Sequence, residues 1–529
     1  MKLFLLTLIS SLITAIFVII LLIILSILIF KMSHNDKKED KCKPKKAKTI
    51  LITLEDFKYD TEKNPLKQSS SFDVLYAKLN DILNNKKIEK IILDIDKMKL
   101  SMVQVEELYP LFKKLNKEKE VIAISTMYTN NSYYTALLAN KIYLENTINS
   151  TLLLQGYYRK ISYLKGLLDK VGIDVKAIHI GDYKAMGENY TRKSMSPNLK
   201  ENLTKIFDER LNNFISFVKE RRGVDISNEL LEGEYFFNYS EKLIDGRMNK
   251  NKLLDDDYLI DITNYNFKEK KNKSKNVIGL ISLEGQISKK GLSLEEVEYK
   301  IDKINEIDNL KGLVIEIDSP GGSAYESSLI YSYIKENVQV PIFVSMKDVC
   351  ASGGYFIAST AKKMFANSST ITGSIGVVSI YPTYSKLAKK LDINYSGLEK
   401  GKTLEYGNLY EHLSFDTIDR IYDHMNGVYR EFKNVVIKAR HMSDRRLENI
   451  AGGRVFIAKD ARYNGLVDGI KNIGEVIEEM QKYLNLPDYR LVKINKKFNV
   501  KTYIKSSIPL LKYDEYLNKP LLLFDETIY

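Results

Sequence analysis

Apolar residues follow different patterns in different parts of the chain. Residues 3–30, LFLLTLISSLITAIFVIILLIILSILIF, are uncharged throughout. As a helix this run would extend about 42 Å, enough to cross a hydrocarbon core of about 30 Å with tilt. A secretory signal has an apolar region of only about 7–15 residues and then a small-x-small site, and neither is present here. The pattern predicts an uncleaved transmembrane anchor over residues 1–31 and a charged linker over 32–48.

Beyond the linker, short β-branched runs alternate with helical spacing. TILITLE (49–55), KIILDID (90–96) and EVIAIST (120–126) read as buried strands, and SMVQVEELYPLFKKLN (101–116) reads as a helix. The polar stretch NFKEKKNKSKN (266–276) interrupts this order, which then begins again. NVIGLISLEG (276–285), LKGLVIEID (310–318) and VPIFVSM (340–346) are the second set of strands, with SAYESSLIYSYIKEN (323–337) as a helix. The alternation predicts an α/β fold, and the recurrence predicts an internal duplication. NSYYTALLANKIYL (131–144) aligns with SGGYFIASTAKKMF (352–365) at a shift of about 220 residues, and YLKGLLDKVGID (163–174) resembles YSKLAKKLDIN (384–394). The units expected are residues 49–265 and 266–484, leaving 485–529 as an extension without an assigned role.

Composition adds exclusions. Apolar content of 44% and charge of 28% describe an ordinary globular chain. The net charge of +12 is spread among nearly as many acids as bases, and the segment 31–48 alone holds eight lysines, so no nucleic-acid partner is expected. Two cysteines, Cys42 and Cys350, make neither a disulfide framework nor a metal site, and Cys350 is expected to fill a small packed position.

The copies differ where chemistry would sit. After its strand the second copy has DSPGG (318–322), where the first has DIDKMK (94–99); Ser352 stands where the first copy has Asn131. An isolated Pro-Gly-Gly is an ordinary tight turn, but here a glycine-flanked serine follows one strand later. Backbone N–H groups of Gly321, Gly322 and Gly353 could then bind a developing oxyanion beside Ser352. A serine nucleophile needs a base, and residues 353–411 hold no histidine. His179, His412, His424 and His441 read as surface or core histidines. Lysine remains, provided burial or a nearby cation lowers its pKa by roughly three units. Lys184 lies 53 residues beyond Asn131, and Lys400 and Lys402 lie 48 and 50 residues beyond Ser352, so spacing alone does not choose among them.

Six segments together resemble the signal peptide peptidase A (protease IV) family of serine–lysine peptidases, in its long two-repeat form. They are GDYKA…YTR…MSP (181–197), DSPGG, ASGGYFIA (351–358), TGSIGV (372–377), ARH (439–441) and GGRVF…ARYNGLVD (452–468), and the resemblance spans roughly residues 49–480. It implies Ser352 as nucleophile, Lys184 as general base, Ser374 as the hydroxyl that orients the lysine, and an oxyanion hole at Gly321, Gly322 and Gly353. It also implies tandem crotonase/Clp-protease-like repeats of ββα units, a homotetramer, no cofactor or metal, and a membrane-anchored endopeptidase that degrades cleaved signal peptides and other apolar peptides. The sequence departs from the family pattern at Met186–Asn189 and at Phe456–Ala458, which bears on pocket detail and not on the dyad. The lysines after the anchor favour a cytoplasmic catalytic region by the positive-inside rule, whereas the resemblance implies the extracytoplasmic side; large domains translocate despite local charge, and that side is the expectation. Two other functions fit the glycine turns alone: a crotonase-type acyl-CoA enzyme and an inactive membrane scaffold.

Overall fold

Two mainly parallel sheets arise from the same order of elements used twice. The computed structural model describes residues 46–53, 58–59, 71–267, 272–398 and 400–496. The expected anchor, nearly all of the linker and most of the C-terminal extension lie outside them, and among the described residues no helix is long and apolar enough to cross a membrane. The first sheet runs Leu259–Asp261, Thr49–Ile52, Lys90–Asp94, Glu120–Ser125, Lys141–Glu145 and Gly246–Met248, all neighbours parallel. The second runs Arg490–Ile494, Val277–Glu284, Leu310–Ser319 and Ile342–Ala351. There it forks, because Ile342–Ala351 pairs with Lys363–Ala366 along one part and with Ile371–Gly373 along another. Parallel strands need crossovers, and the helices Met102–Glu118 and Ala324–Asn337 supply equivalent ones. Ser101 and Ser323, read from the sequence as the first helical residues, are instead N-caps whose side chains accept from Gln104 N–H and Glu326 N–H.

The correspondence reaches the small elements. Thr151–Leu153 lies parallel to Met127–Thr129 and antiparallel to Phe236–Asn238; Ile371–Gly373 lies parallel to the end of Ile342–Ala351 and antiparallel to Val455–Ile457. Leu259–Asp261 closes the first sheet beside Thr49–Ile52, and Arg490–Ile494 does the same beside Val277–Glu284. The second sheet therefore extends past the expected limit at residue 484.

The halves interlock through several contacts, two of them extensive. The strand Asp174–Ile180 comes from the first half but pairs antiparallel with Val377–Thr383 of the second, and Ile178 and Ile180 join the second half's core. The helix Met102–Glu118 pushes Glu107, 1% exposed, against the second sheet. There the fully buried Lys347 Nζ lies 2.7 Å from Glu107 and 3.0 Å from Glu316. Glu107 also accepts from Ile473 N–H and Asn367 Nδ2, both at 2.8 Å, and Glu316 accepts from Ser282 Oγ at 2.6 Å and pairs with Lys493 at 3.1 Å. Burial alone would lower the Lys347 ammonium, but the two carboxylates outweigh it and raise its pKa. Burial likewise would raise Glu316, and Lys347 and Lys493 outweigh it.

Removing one member of such a cluster leaves an uncompensated buried charge. Lys347→Met is expected to destabilise the protein by about 3–5 kcal/mol in urea unfolding. A loss below about 1 kcal/mol would mean that the cluster does not hold the halves together.

Candidate active site

Ser352 follows directly on the long central strand and caps the short helix Gly353–Ala358. Its backbone has φ 53° and ψ −120°, a conformation that costs a non-glycine residue about 1–3 kcal/mol. The surroundings hold it there: Ser352 N–H donates to the Gly373 carbonyl at 2.9 Å. The D-S-P-G-G turn closes on the same spot. A Cβ on Gly321, where φ is 96°, would lie 2.7 Å from both Gly353 N and Ser352 Cβ, so only glycine lets the turn approach the serine.

The Gly321 N–H, expected from the sequence to help bind an oxyanion, is engaged within its own turn. It donates to Ser319 Oγ at 3.2 Å, and the Gly321 carbonyl accepts from Ile287 N–H at 2.8 Å. Gly322 and Gly353 are the remaining candidates, and the Gly353 N–H lies in a first helical turn, where no intrahelical acceptor exists.

Lys184 reaches Ser352 through the strand that crosses between the halves. After Ile180 the chain turns tightly, with Lys184 N–H donating to the Gly181 carbonyl at 3.2 Å. Nζ then lies 3.1 Å from Ser352 Oγ, 2.9 Å from Ser374 Oγ and 3.1 Å from the Ser374 carbonyl. A neutral amine has two N–H donors and one lone pair. Two donations to Ser374 leave that lone pair for the Ser352 hydroxyl, which is the arrangement a general base requires. Lys184 is 6% exposed, and burial lowers its pKa from 10.5 to about 8. Ser374 also has positive φ, 54°, and its N–H donates to the Arg454 carbonyl at 2.7 Å.

The other candidates lie elsewhere. Lys400 and Lys402 are exposed in an irregular stretch, as are His179, His412, His424 and His441 on their own elements. Asn131 is exposed at the start of the helix Asn130–Ala136. Cys350 is fully buried, and burial pushes its thiol pKa up.

Sequence reasoning assigned no role to Gly452 and Gly453, although it quoted them. Tyr183 N–H donates to the Gly452 carbonyl at 2.8 Å, and a Cβ on Gly453, where φ is 85°, would lie 2.6 Å from Lys184 N, Cα and Cβ. This backbone packs directly against the lysine loop. The signal available was the glycine pair itself, which marks a close backbone approach.

Residues 113–252 and 335–487 match Peptidase family S49, one stretch in each half. Protease 4 of Haemophilus influenzae is 28% identical over 461 residues, 79% of this chain and 73% of its own length. The chloroplastic serine protease SPPA of Arabidopsis thaliana is 26% identical over 479 residues, 84% and 70% of the two chains. A putative signal peptide peptidase SppA of Enterococcus faecium is 32% identical over 196 residues, 37% of this chain and 57% of that one.

The lowered lysine pKa has a consequence for stability. Between pH about 8 and 10.5 the unfolded chain binds a proton at Lys184 that the folded chain does not, so stability rises with pH across that window. At pH 7 the cost of keeping the lysine is about 3 kcal/mol. Lys184→Met is therefore expected to gain most over the wild type at and below pH 7, and to lose that advantage as pH rises towards 10.5. Parallel stability curves in urea titrations across this range would overturn the assignment.

Proposed function

The chain belongs to peptidase family S49 and is a serine peptidase, and from this premise we propose that it is an endopeptidase working through a Ser352–Lys184 dyad. The observation that carries the reading is the three-contact environment of Lys184 Nζ, with Ser374 taking two hydrogens and Ser352 facing the third position. Neutral Lys184 takes the hydroxyl proton as Ser352 Oγ attacks the peptide carbonyl carbon. The oxyanion forms against the N–H groups of Gly322 and Gly353. The C–N bond then breaks as protonated Lys184 gives its proton to the departing amine. Water, deprotonated by the same lysine, attacks the acyl ester and frees the serine. The fold assigned to both units is the crotonase/Clp-protease-like repeat of ββα units.

The substrates proposed are signal peptides left in the membrane after cleavage, together with other apolar peptides. The name of the Enterococcus faecium relative and the apolar segment 3–30 support this reading. That segment would hold the enzyme beside such substrates as a single-pass anchor, with the catalytic region on the extracytoplasmic side. Assembly as a homotetramer accords with the exposure of Leu391, Ile393, Tyr395, Leu398 and Tyr406 in the second half, side chains that a neighbouring copy would cover.

A fluorophosphonate probe is expected to label Ser352 and to fail on Ser352→Ala; labelling that survives the substitution would sink the assignment. Lys184→Ala is expected to lower kcat/KM about 10²–10⁴-fold. With a base of pKa about 8, roughly a tenth of the enzyme is competent at pH 7, so kcat/KM should rise about tenfold per pH unit up to a limb near 8. A flat profile between pH 6 and 8 would contradict a lysine base.

For topology and assembly, a C-terminal alkaline phosphatase fusion is expected to be active and a cytoplasmic reporter silent. Light scattering of the detergent-extracted protein should give the mass of four chains. The opposite reporter pattern, or a monomer mass, would remove the corresponding proposal.

A further inference from the structure

One second-half segment contacts both the loop that carries the base and the base's partner Ser374. The Arg454 carbonyl accepts the Ser374 N–H at 2.7 Å, so the backbone of this residue fixes the serine that takes two hydrogens from Lys184. Its side chain turns the other way, to the first half. The Arg454 guanidinium carbon lies 3.7 Å from the centre of the Tyr183 ring, the residue immediately before Lys184. Glu201, on the helix Pro197–Arg222, ties the two together: it accepts from Tyr183 Oη at 2.9 Å and from Arg454 Nη1 at 3.4 Å. Next along the chain, Asn202 exchanges two hydrogen bonds with the Val455 backbone, at 2.8 and 3.0 Å.

We propose that Arg454 is a positioning residue for the dyad, setting the Lys184 loop through the stack on Tyr183 while its carbonyl sets Ser374. The proposal rests on the reading of Lys184 as the base. A flat guanidinium on an aromatic face fixes both rotation and distance, which a lone ammonium does not. The Arg454–Glu201 pair is partly solvent-exposed, with side chains 21% and 43% accessible, so it adds little to overall stability. Asn202 already fastens the strand Val455–Ile457 to the helix. What the arginine side chain adds is register between Tyr183 and Ser374. Lys184 Nζ meets three partners within 2.9–3.1 Å, and a loop displaced by a few tenths of an ångström would lose one of them and admit water. A hydrated lysine regains its ordinary affinity for a proton.

The test is the pH dependence of peptide hydrolysis by the full chain, carrying Arg454→Ala, Tyr183→Ala or both. Each single change is expected to move the acid limb of kcat/KM up by about one pH unit and to lower kcat at pH 7 about tenfold, with KM within about twofold. The double variant is expected to lose no more than the worse single one, because both remove the same contact. Tyr183 is only partly buried, so Tyr183→Ala carries the test alone if Arg454→Ala does not fold. Tyr183→Phe keeps the ring and should shift the limb less than half as far as Tyr183→Ala. An unmoved limb, or single losses that multiply in the double variant, would overturn the proposal while Lys184→Ala stays inactive. Activity retained by Lys184→Ala would instead overturn the reading beneath it.

Discussion

A lysine can act as a base near neutral pH only where its affinity for a proton is lowered, and burial does this for Lys184, the base in the proposed dyad. The amine of Lys184 is buried with two acceptors from Ser374 and the hydroxyl of Ser352 as its polar partners, and among the described residues no carboxylate pairs with it. Neither half of the chain could form that enclosure alone. The lysine arrives on a first-half strand that pairs in the second half, and the second-half glycines Gly452 and Gly453 close over it.

Such a site opposes folding. Burying the amine costs about 3 kcal/mol at pH 7, and positive φ at Ser352 and Ser374 adds about 1–3 kcal/mol each. Against a net stability of about 5–15 kcal/mol for a typical domain, those terms are large. They are offset by features that do no chemistry: the apolar cores of both halves, the shared two-stranded ribbon, and the buried cluster of Glu107, Lys347, Glu316 and Lys493 that joins the first half's helix to the second half's sheet. Lys347 of this cluster lies on the strand that leads directly into Ser352, so the anchorage of the two halves and the placement of the nucleophile share one element.

Much of this was legible in the sequence for a simple reason. A parallel strand buried on both faces reads as an unbroken apolar run, so three strands of each sheet could be found, and their recurrence exposed the duplication. The serine was visible from its glycine neighbours. The lysine was not, because burial is a property of the whole fold: Lys184, Lys400 and Lys402 have equivalent spacing, and only the pairing of Asp174–Ile180 with Val377–Thr383 separates the enclosed one from the exposed two. The resemblance supplied that choice before the geometry could. Hydrogen-bond partners were also beyond sequence reasoning: nothing in D-S-P-G-G shows that the Gly321 N–H turns to Ser319 Oγ. Short closing strands such as Arg490–Ile494 carry too few apolar positions to announce themselves.

The order of the segments along the chain also sets when the enzyme can become active. Lys184 is synthesised first, Ser352 comes 168 residues later, and Gly452–Arg454 a further hundred or so. A growing chain therefore carries a hydrated, protonated lysine and then an unassisted serine. Only when residue 454 emerges can the loop be packed in place and the proton affinity fall. On the proposed dyad, the site is assembled only after residues 452–454 have been made.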